Sequence, residues 1–286
     1  MLEDKFVYLN GEYLKENEAK ISVFDRGFIF GDGVYEVAPV FDGVIVDRDD
    51  FIERLFNSLE KIYIQMSLVE DDIINILNEL ILKNNLKEGG VYLQITRGVA
   101  KRSFEFIKDL KPTIMAFTYE QNLKTNPKES TGVKLISYHD LRWQRRDIKS
   151  LNLLGQCMAR TYANNNKYDF ALFVNQGYIN ECDSAGFFMI KNDTLITKPL
   201  SNEILPSIRR KNIIKIAKEM GLKVKQRAIS LDEAYECDEC FICAATILLL
   251  PVIKIDEKDI KIGKYTSILR QKYVEKIQLE AKAYKK

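Results

Sequence analysis

The sequence predicts an α/β chain of mixed α+β character, folded as two domains, and three observations carry that prediction. Short segments alternate apolar and polar residues around turn signals, as strands do, while longer ones repeat near the helical period. The two patterns interleave along the chain, as in proteins built from sheets covered by helices. Between Glu120 and Thr131 the composition turns to Gln-Asn-Leu-Lys-Thr-Asn-Pro-Lys-Glu-Ser without any period, which marks a linker. The expected division is a small N-terminal domain over 1–119, a linker over 120–131 and a large C-terminal domain over 132–286.

The elements follow in order. Phe6-Val7-Tyr8-Leu9 and Glu12-Tyr13-Leu14 flank Asn10-Gly11, a two-residue turn signal, so they read as a hairpin. Gly33 to Phe41 and Val44-Ile45-Val46 flank Asp42-Gly43 in the same way. Helices are expected from Asp49 to Gln65, with Phe51, Leu55, Leu59 and Ile62 on one face, and from Asp71 to Asn84, with Ile73, Ile74, Leu77, Leu80 and Ile81. Strands resume at Val91 to Thr96 and Thr113 to Tyr119. Past the linker come a strand from Val133 to Ser137 and a helix from Leu151 to Asn165. Strands at Asp169 to Val174, Gly186 to Ile190 and Leu195 to Thr197 precede a helix from Ser207 to Met220, stopped by Gly221. A strand from Lys223 to Ala228, a cysteine-bearing strand and a helix beginning near Tyr265 complete the chain.

Composition narrows the function. Among 286 residues, 43 Lys and Arg stand against 41 Asp and Glu, interspersed, so no basic stripe points to nucleic acid. No apolar run reaches the length of a membrane span, and Met1-Leu2-Glu3-Asp4-Lys5 lacks a basic-then-apolar leader; the chain reads as cytoplasmic, with no membrane partner. Cys237, Cys240 and Cys243 superficially resemble a metal motif, but the one histidine, His139, lies far upstream. On a strand Cys240 and Cys243 would face opposite sides, so the cysteines read as small apolar residues and no metal is expected.

Five segments bear on chemistry. Lys149, in Asp147-Ile148-Lys149-Ser150-Leu151-Asn152-Leu153-Leu154-Gly155, sits at the foot of an apolar run. Desolvation favours a neutral amine, the form that attacks an aldehyde; a lysine snorkelling at a helix start is the plainer alternative. Asp25-Arg26-Gly27-Phe28-Ile29-Phe30-Gly31-Asp32-Gly33 suggests close backbone approach before a strand carrying Tyr35, or any tight loop. Arg54 lies beside an apolar helix stripe and needs an anion, either a phosphate or a structural partner. Glu181 enters a small-residue loop, where a carboxylate would pair with a protonated ring nitrogen or simply serve a turn. Finally, Leu205-Pro206-Ser207-Ile208-Arg209-Arg210 opens a helix whose free N–H groups suit an anion, although many such helix starts bind nothing.

Taken together and in this order, the segments resemble the class IV, fold-type IV pyridoxal-phosphate (PLP) aminotransferases, nearly end to end. The resemblance is closest to the D-amino-acid aminotransferase branch. It rests on D-R-G-x-x-F-G-D-G-V-Y-E-V, on R-W-x-R-x-D-I-K-S-L-N-L-L-G, on Thr96-Arg97-Gly98 and on the P-V-I-x-I-D from Pro251 to Asp256. It implies a small N-terminal domain and a larger PLP-binding domain with a barrel-like β core. Lys149 is then the Schiff-base lysine and proton shuttle, and Glu181 holds the pyridine nitrogen. Arg54 binds the cofactor phosphate, with backbone N–H groups at Ile208 and Arg209 and around Ala245 and Thr246. Arg142 and Tyr35 line the cofactor's phenolic side and the substrate.

The resemblance further implies a homodimer in which the loop after Thr96-Arg97-Gly98 reaches the neighbouring subunit's site, with Arg102 gripping the substrate carboxylate. The reaction it implies is a ping-pong transfer of an amino group between a D-amino acid and a 2-oxo acid. Rivals on the same scaffold are a branched-chain L-amino-acid aminotransferase, an (R)-amine transaminase and aminodeoxychorismate lyase. From another class, the rival is a non-enzymatic cysteine-cluster metal protein. The chain departs from the branch in three places. Phe104 stands where the carboxylate loop carries a histidine, Arg209 where the phosphate turn carries a threonine, and Ala245 precedes a displaced Thr246.

Overall fold

The computed structural model describes residues 5–285. The elements are β1 (Phe6–Leu9), β2 (Glu12–Lys15), α1 (Arg26–Phe30), β3 (Gly33–Phe41), β4 (Val44–Ile45), α2 (Arg48–Lys61), α3 (Glu70–Lys83), β5 (Gly89–Thr96) and β6 (Thr113–Glu120). Then follow α4 (Lys128–Thr131), β7 (Val133–His139), α5 (Leu154–Asn165), β8 (Phe170–Asn175), β9 (Tyr178–Cys182), β10 (Gly186–Lys191) and β11 (Thr194–Thr197). The last are α6 (Ile208–Glu219), β12 (Lys223–Gln226), α7 (Leu231–Tyr235), β13 (Glu239–Ala244), β14 (Leu248–Ile255), β15 (Lys258–Asp259) and α8 (Lys264–Tyr284).

Two compact units result, neither contiguous in sequence. The first takes residues up to Asn122, Ile148–Asn152 and residues from Ile277 onward; the second takes Leu123–Asp147 and Leu153–Lys276. Relative to boundaries at 119 and 132, the lysine-bearing segment and the end of α8 change sides. Backbone pairing accounts for the first exchange: the Tyr35 N–H donates to Lys149 O at 2.9 Å, and the Leu151 N–H to Gly33 O at 3.2 Å. A hydrogen bond from the Asp47 N–H to Glu280 Oε1, at 2.8 Å, supports the second. The helix expected from Leu151 therefore begins at Leu154, because the three residues before it lie where the chain leaves this pairing.

In the first unit six antiparallel strands run in the order β2-β1-β6-β5-β3-β4. Both turn signals act as read. Asn10 and Gly11 have φ of 51° and 108°, and Asp42 and Gly43 have 53° and 79°, the left-handed pairs that hairpin turns require. α2 packs on β3, and α3 on β1 and β6. Phe51, Leu55, Leu59, Ile73, Leu77 and Leu80 are buried there, as their periodicity demands. α2 stops at Lys61, short of the expected Gln65, since Tyr63 turns to φ 57°.

In the second unit nine strands form one mixed sheet in the order β12-β11-β10-β13-β14-β7-β8-β9, with β15 paired to β14. It curls into a half-barrel: Leu135, Leu172, Ile179, Cys182, Phe187, Cys240, Ile242 and Val252, from strands across the sheet, share one buried cluster. Cys240 belongs to that cluster, whereas Cys243, three residues on, lies on the opposite face, where its neighbours include Ser207. All five cysteines are free thiols. The segment read as a plain linker contains α4, which packs on β14. Among the described residues no helix is long and apolar enough to cross a membrane.

Candidate active site

In the first unit, Lys149 is half-buried and extended, held by backbone bonds on both sides of β3's entry. Its own N–H donates to Ser58 Oγ at 3.4 Å. The ammonium lies 4.1 Å from the Tyr35 ring centroid, which brings together two of the residues singled out in the sequence. Tyr35 stacks on Tyr92 at 5.4 Å, and Tyr92 on Phe117 at 4.8 Å, an aromatic ladder across β3, β5 and β6. Burial pushes the Tyr92 hydroxyl pKa up, and that hydroxyl donates to Gln94 Oε1 at 2.9 Å. Gly33 permits this arrangement, for a Cβ there would lie 2.5 Å from Ile95 O and 2.9 Å from Leu151 Cδ1.

Arg54 meets Glu36 in a two-point pair, Nε to Oε1 and Nη2 to Oε2, both 2.7 Å. Against the cost of burial, Glu36 holds the guanidinium above its ordinary pKa. The structural partner weighed as the alternative for Arg54 is thus present. Glu36 was not singled out, although a lone acid between Tyr35 and Val37 in an apolar strand is a legible signal.

Arg102 and Phe104 stand in the loop after β5. The Arg102 guanidinium lies 5.6 Å from the Phe30 ring and 5.2 Å from that of Phe104, and the two rings are 5.7 Å apart. Phe104 is 80% exposed, too exposed for a core residue. The loop is moored by Arg26, which donates from Nη1 to Ser103 O at 2.6 Å and from Nε to Asp32 at 2.7 Å. Arg97 shares Asp32 and lies 3.8 Å from the Phe106 ring.

In the second unit, β9 delivers Glu181, a buried carboxylate. Its Oε1 accepts from Arg142 Nη1 at 2.7 Å and its Oε2 from the Leu205 N–H at 3.1 Å. Burial raises its pKa, partly offset by Arg142. Arg142 in turn is held by Asp140, a residue the sequence reading passed over although it stands two positions away.

Near the other end of the sheet, Ser207 caps α6, its Oγ accepting from the Arg210 N–H at 3.3 Å. Ile208 and Arg209 form the first turn of that helix. Arg209 donates from Nη2 to Ala245 O at 3.1 Å and from Nη1 to the Tyr273 hydroxyl at 2.7 Å. The two expected phosphate turns, at 208–209 and 245–246, are therefore tied together by the residue that replaces the threonine.

Each unit holds donors of the kinds PLP takes: the first a primary amine against an aromatic ring, the second a buried carboxylate of raised proton affinity, suited to a ring nitrogen, and a capped helix start beside arginines, suited to a phosphate.

The comparisons agree. A model of the amino-transferase class IV family matches residues 33–255. The D-alanine aminotransferase of Staphylococcus haemolyticus is 34% identical over 276 residues, covering 94% of this chain and 98% of that one. That of Bacillus licheniformis is 35% identical over 257 residues, 90% of each. Among solved structures, the branched-chain amino acid aminotransferase of Escherichia coli superposes with a TM-score of 0.88 at 21% identity, over 96% of this chain and 95% of that one. The 4-amino-4-deoxychorismate lyase of Pseudomonas aeruginosa does so with 0.81 at 22% identity, over 93% and 97%. The chain belongs to the class IV aminotransferases, PLP-dependent enzymes of fold type IV.

Proposed function

We propose that this enzyme transfers an amino group between a D-amino acid, such as D-alanine or D-glutamate, and a 2-oxo acid by a ping-pong mechanism. The observation that carries the reading is the 34% and 35% identity to two D-alanine aminotransferases over 90% or more of the chain. Bound PLP supplies an electron sink for the charge left when the substrate α-proton is removed. Lys149 would hold the cofactor covalently, release it to the substrate amine, and with the freed Nζ take the α-proton and return it at the far carbon. Glu181 keeps a proton at the ring nitrogen, and Arg142 fixes that carboxylate. Arg54 and the N–H groups at Ile208, Arg209, Ala245 and Thr246 hold the phosphate, while Tyr35 orients the amine. Arg102 binds the substrate carboxylate, and Phe104 leaves it one polar partner fewer than a histidine would.

Exposed Phe24, Phe28, Phe104 and Phe106 in the first unit are what a second copy would cover, which supports a homodimer. Five free thiols support a reducing compartment, the cytoplasm. Phe104 also supports a second reading, an (R)-amine transaminase, since its ring presents neither charge nor donor to a carboxylate. The test is an assay with PLP, 2-oxoglutarate, D- and L-alanine, glutamate and leucine, and (R)-1-phenylethylamine. Turnover of D-alanine or D-glutamate is expected. Turnover of L-leucine alone would make the branched-chain reading correct, and turnover of the amine alone the other.

A further inference from the structure

Asp140 lies immediately after β7 with a side chain 0% exposed, and the chemistry above gives it no task. Its carboxylate is the hub of a buried network. Oδ1 accepts from the Arg142 N–H at 3.2 Å and from Arg142 Nε at 2.9 Å, and pairs with Arg146 Nη2 at 3.0 Å. Oδ2 accepts from Arg142 Nη2 at 2.9 Å and from Asn180 Nδ2 at 2.8 Å. Arg142 then passes to Glu181 through Nη1. Two acids and two arginines cancel, so the cluster is neutral as a whole. A cluster built only for stability satisfies its own polar atoms. Here Arg146 Nε and Asn180 Oδ1 are buried with no hydrogen-bond partner among the described residues.

We propose that Asp140 and Arg146 are positioning residues that set the charge Glu181 presents to the cofactor's ring nitrogen, with Arg142 the rigid link between them. The inference rests on Glu181 being the ring-nitrogen partner. Arg142 meets Asp140 along one edge and Glu181 at the other nitrogen, and the Phe173 ring, 4.0 Å away on β8, covers it. Its charge is thus shared between two acids in a dry site, where charges are felt strongly. The other groups facing the cluster are accounted for. β9 adds the Cys182 thiol, which burial keeps neutral, and the amide of Asn180. The loop before α6 adds the Leu205 N–H and Glu203, whose charge is matched by Lys198 at 2.8 Å. Burial would raise Asp140, but the Arg142 hydrogen bonds outweigh it and hold the carboxyl below its ordinary range, so it stays charged throughout the working pH.

Removing Asp140's charge leaves the cluster at +1, and removing that of Arg146 leaves it at −1. The cofactor's protonated, visible-absorbing form is disfavoured by the first and favoured by the second. The experiment is a pH titration of the visible band of the holoenzyme, without substrate, for the wild type, Asp140→Asn, Arg146→Gln and the double variant. The midpoint is expected to fall by roughly one pH unit in Asp140→Asn and to rise by about as much in Arg146→Gln. The neutral double variant should return to near the wild-type midpoint. Lost packing would move both single variants the same way, and that outcome, or a double variant that does not return, overturns the proposal. Should Asp140→Asn not fold, a rise in Arg146→Gln supports the proposal and an unchanged or lower midpoint overturns it. A Glu181→Gln holoenzyme whose midpoint matches the wild type would instead overturn the assignment of Glu181, and a wild type with no visible band on PLP would overturn that of Lys149.

Discussion

At the residue scale, the roles proposed for Lys149, Glu181, Arg102 and Phe104 can be tested separately. Lys149→Ala is expected to abolish turnover, because it removes the amine proposed to bind the cofactor, which lies 4.1 Å from the Tyr35 ring. Borohydride reduction of the holoenzyme followed by peptide mapping should label Lys149, and a label on another lysine would move the assignment. Glu181→Gln keeps an acceptor for the Leu205 N–H but loses the charge proposed to stabilise a ring proton. It should slow α-proton removal far more than it weakens PLP binding, as single-turnover rates beside a cofactor titration will reveal. Arg102→Ala removes the charge-assisted contact proposed for the substrate carboxylate, a loss of about 3 kcal/mol, so kcat/KM for D-amino acids should fall by roughly two orders of magnitude. Phe104→His should lower KM for D-alanine and leave (R)-1-phenylethylamine no better as a donor. Unimpaired D-amino-acid kinetics in Arg102→Ala would place the carboxylate elsewhere.

At the element scale, the placement of Lys149 depends on an extended segment laid against the start of β3, not on a helix end. Residues 149–151 bond to Gly33 and Tyr35 through the backbone, so their position is insensitive to most side-chain changes. Gly33 is the exception. A methyl there collides with Ile95 O, a backbone atom that cannot swing away. Gly33→Ala should therefore destabilise the protein by about 1–3 kcal/mol and broaden the absorption of bound PLP, measured by thermal melting and by the holoenzyme spectrum. Unchanged melting would mean that β3 and β5 separate more easily than their full antiparallel register suggests. The sequence signalled Gly33 as a place of close approach, yet the residue it lets approach, Leu151, was read as helical. Helical spacing of apolar residues carries no information about a backbone already engaged with a distant strand.

At the scale of the whole molecule, buried charge sets the response to acid. The Asp140 carboxyl is lowered from 3.8 and that of Glu203 from 4.5, so each contributes stability that is present above those values and lost as pH falls through the folded ones. Glu181 runs the other way. Its pKa is raised from 4.5 by burial, so its charged form costs stability at neutral pH, and that cost is relieved on acidification. With more acids lowered than raised, denaturant unfolding between about pH 3 and pH 6 should show stability falling toward acid. In Glu181→Gln the opposing contribution disappears, and the loss toward acid should be steeper than in the wild type. A parallel curve would mean that Glu181 is not buried in the charged form.

The α/β class, both hairpins and the buried faces of α2 and α3 follow from the sequence alone, and its motifs name the candidate residues at 35, 54, 142, 149 and 181. Periodicity, turn chemistry and a specific motif are local, and local information is what a sequence carries directly. The tertiary structure alone decided that the lysine segment and the end of α8 join the first unit, that Arg54 is met by Glu36, and that Arg209 ties Ala245 to Tyr273. It alone made Asp140 the hub of the Glu181 network. These are pairings across long stretches of chain, chosen by the need of buried charges and backbone groups for partners, and nothing in the spacing of one segment specifies which distant residue supplies them.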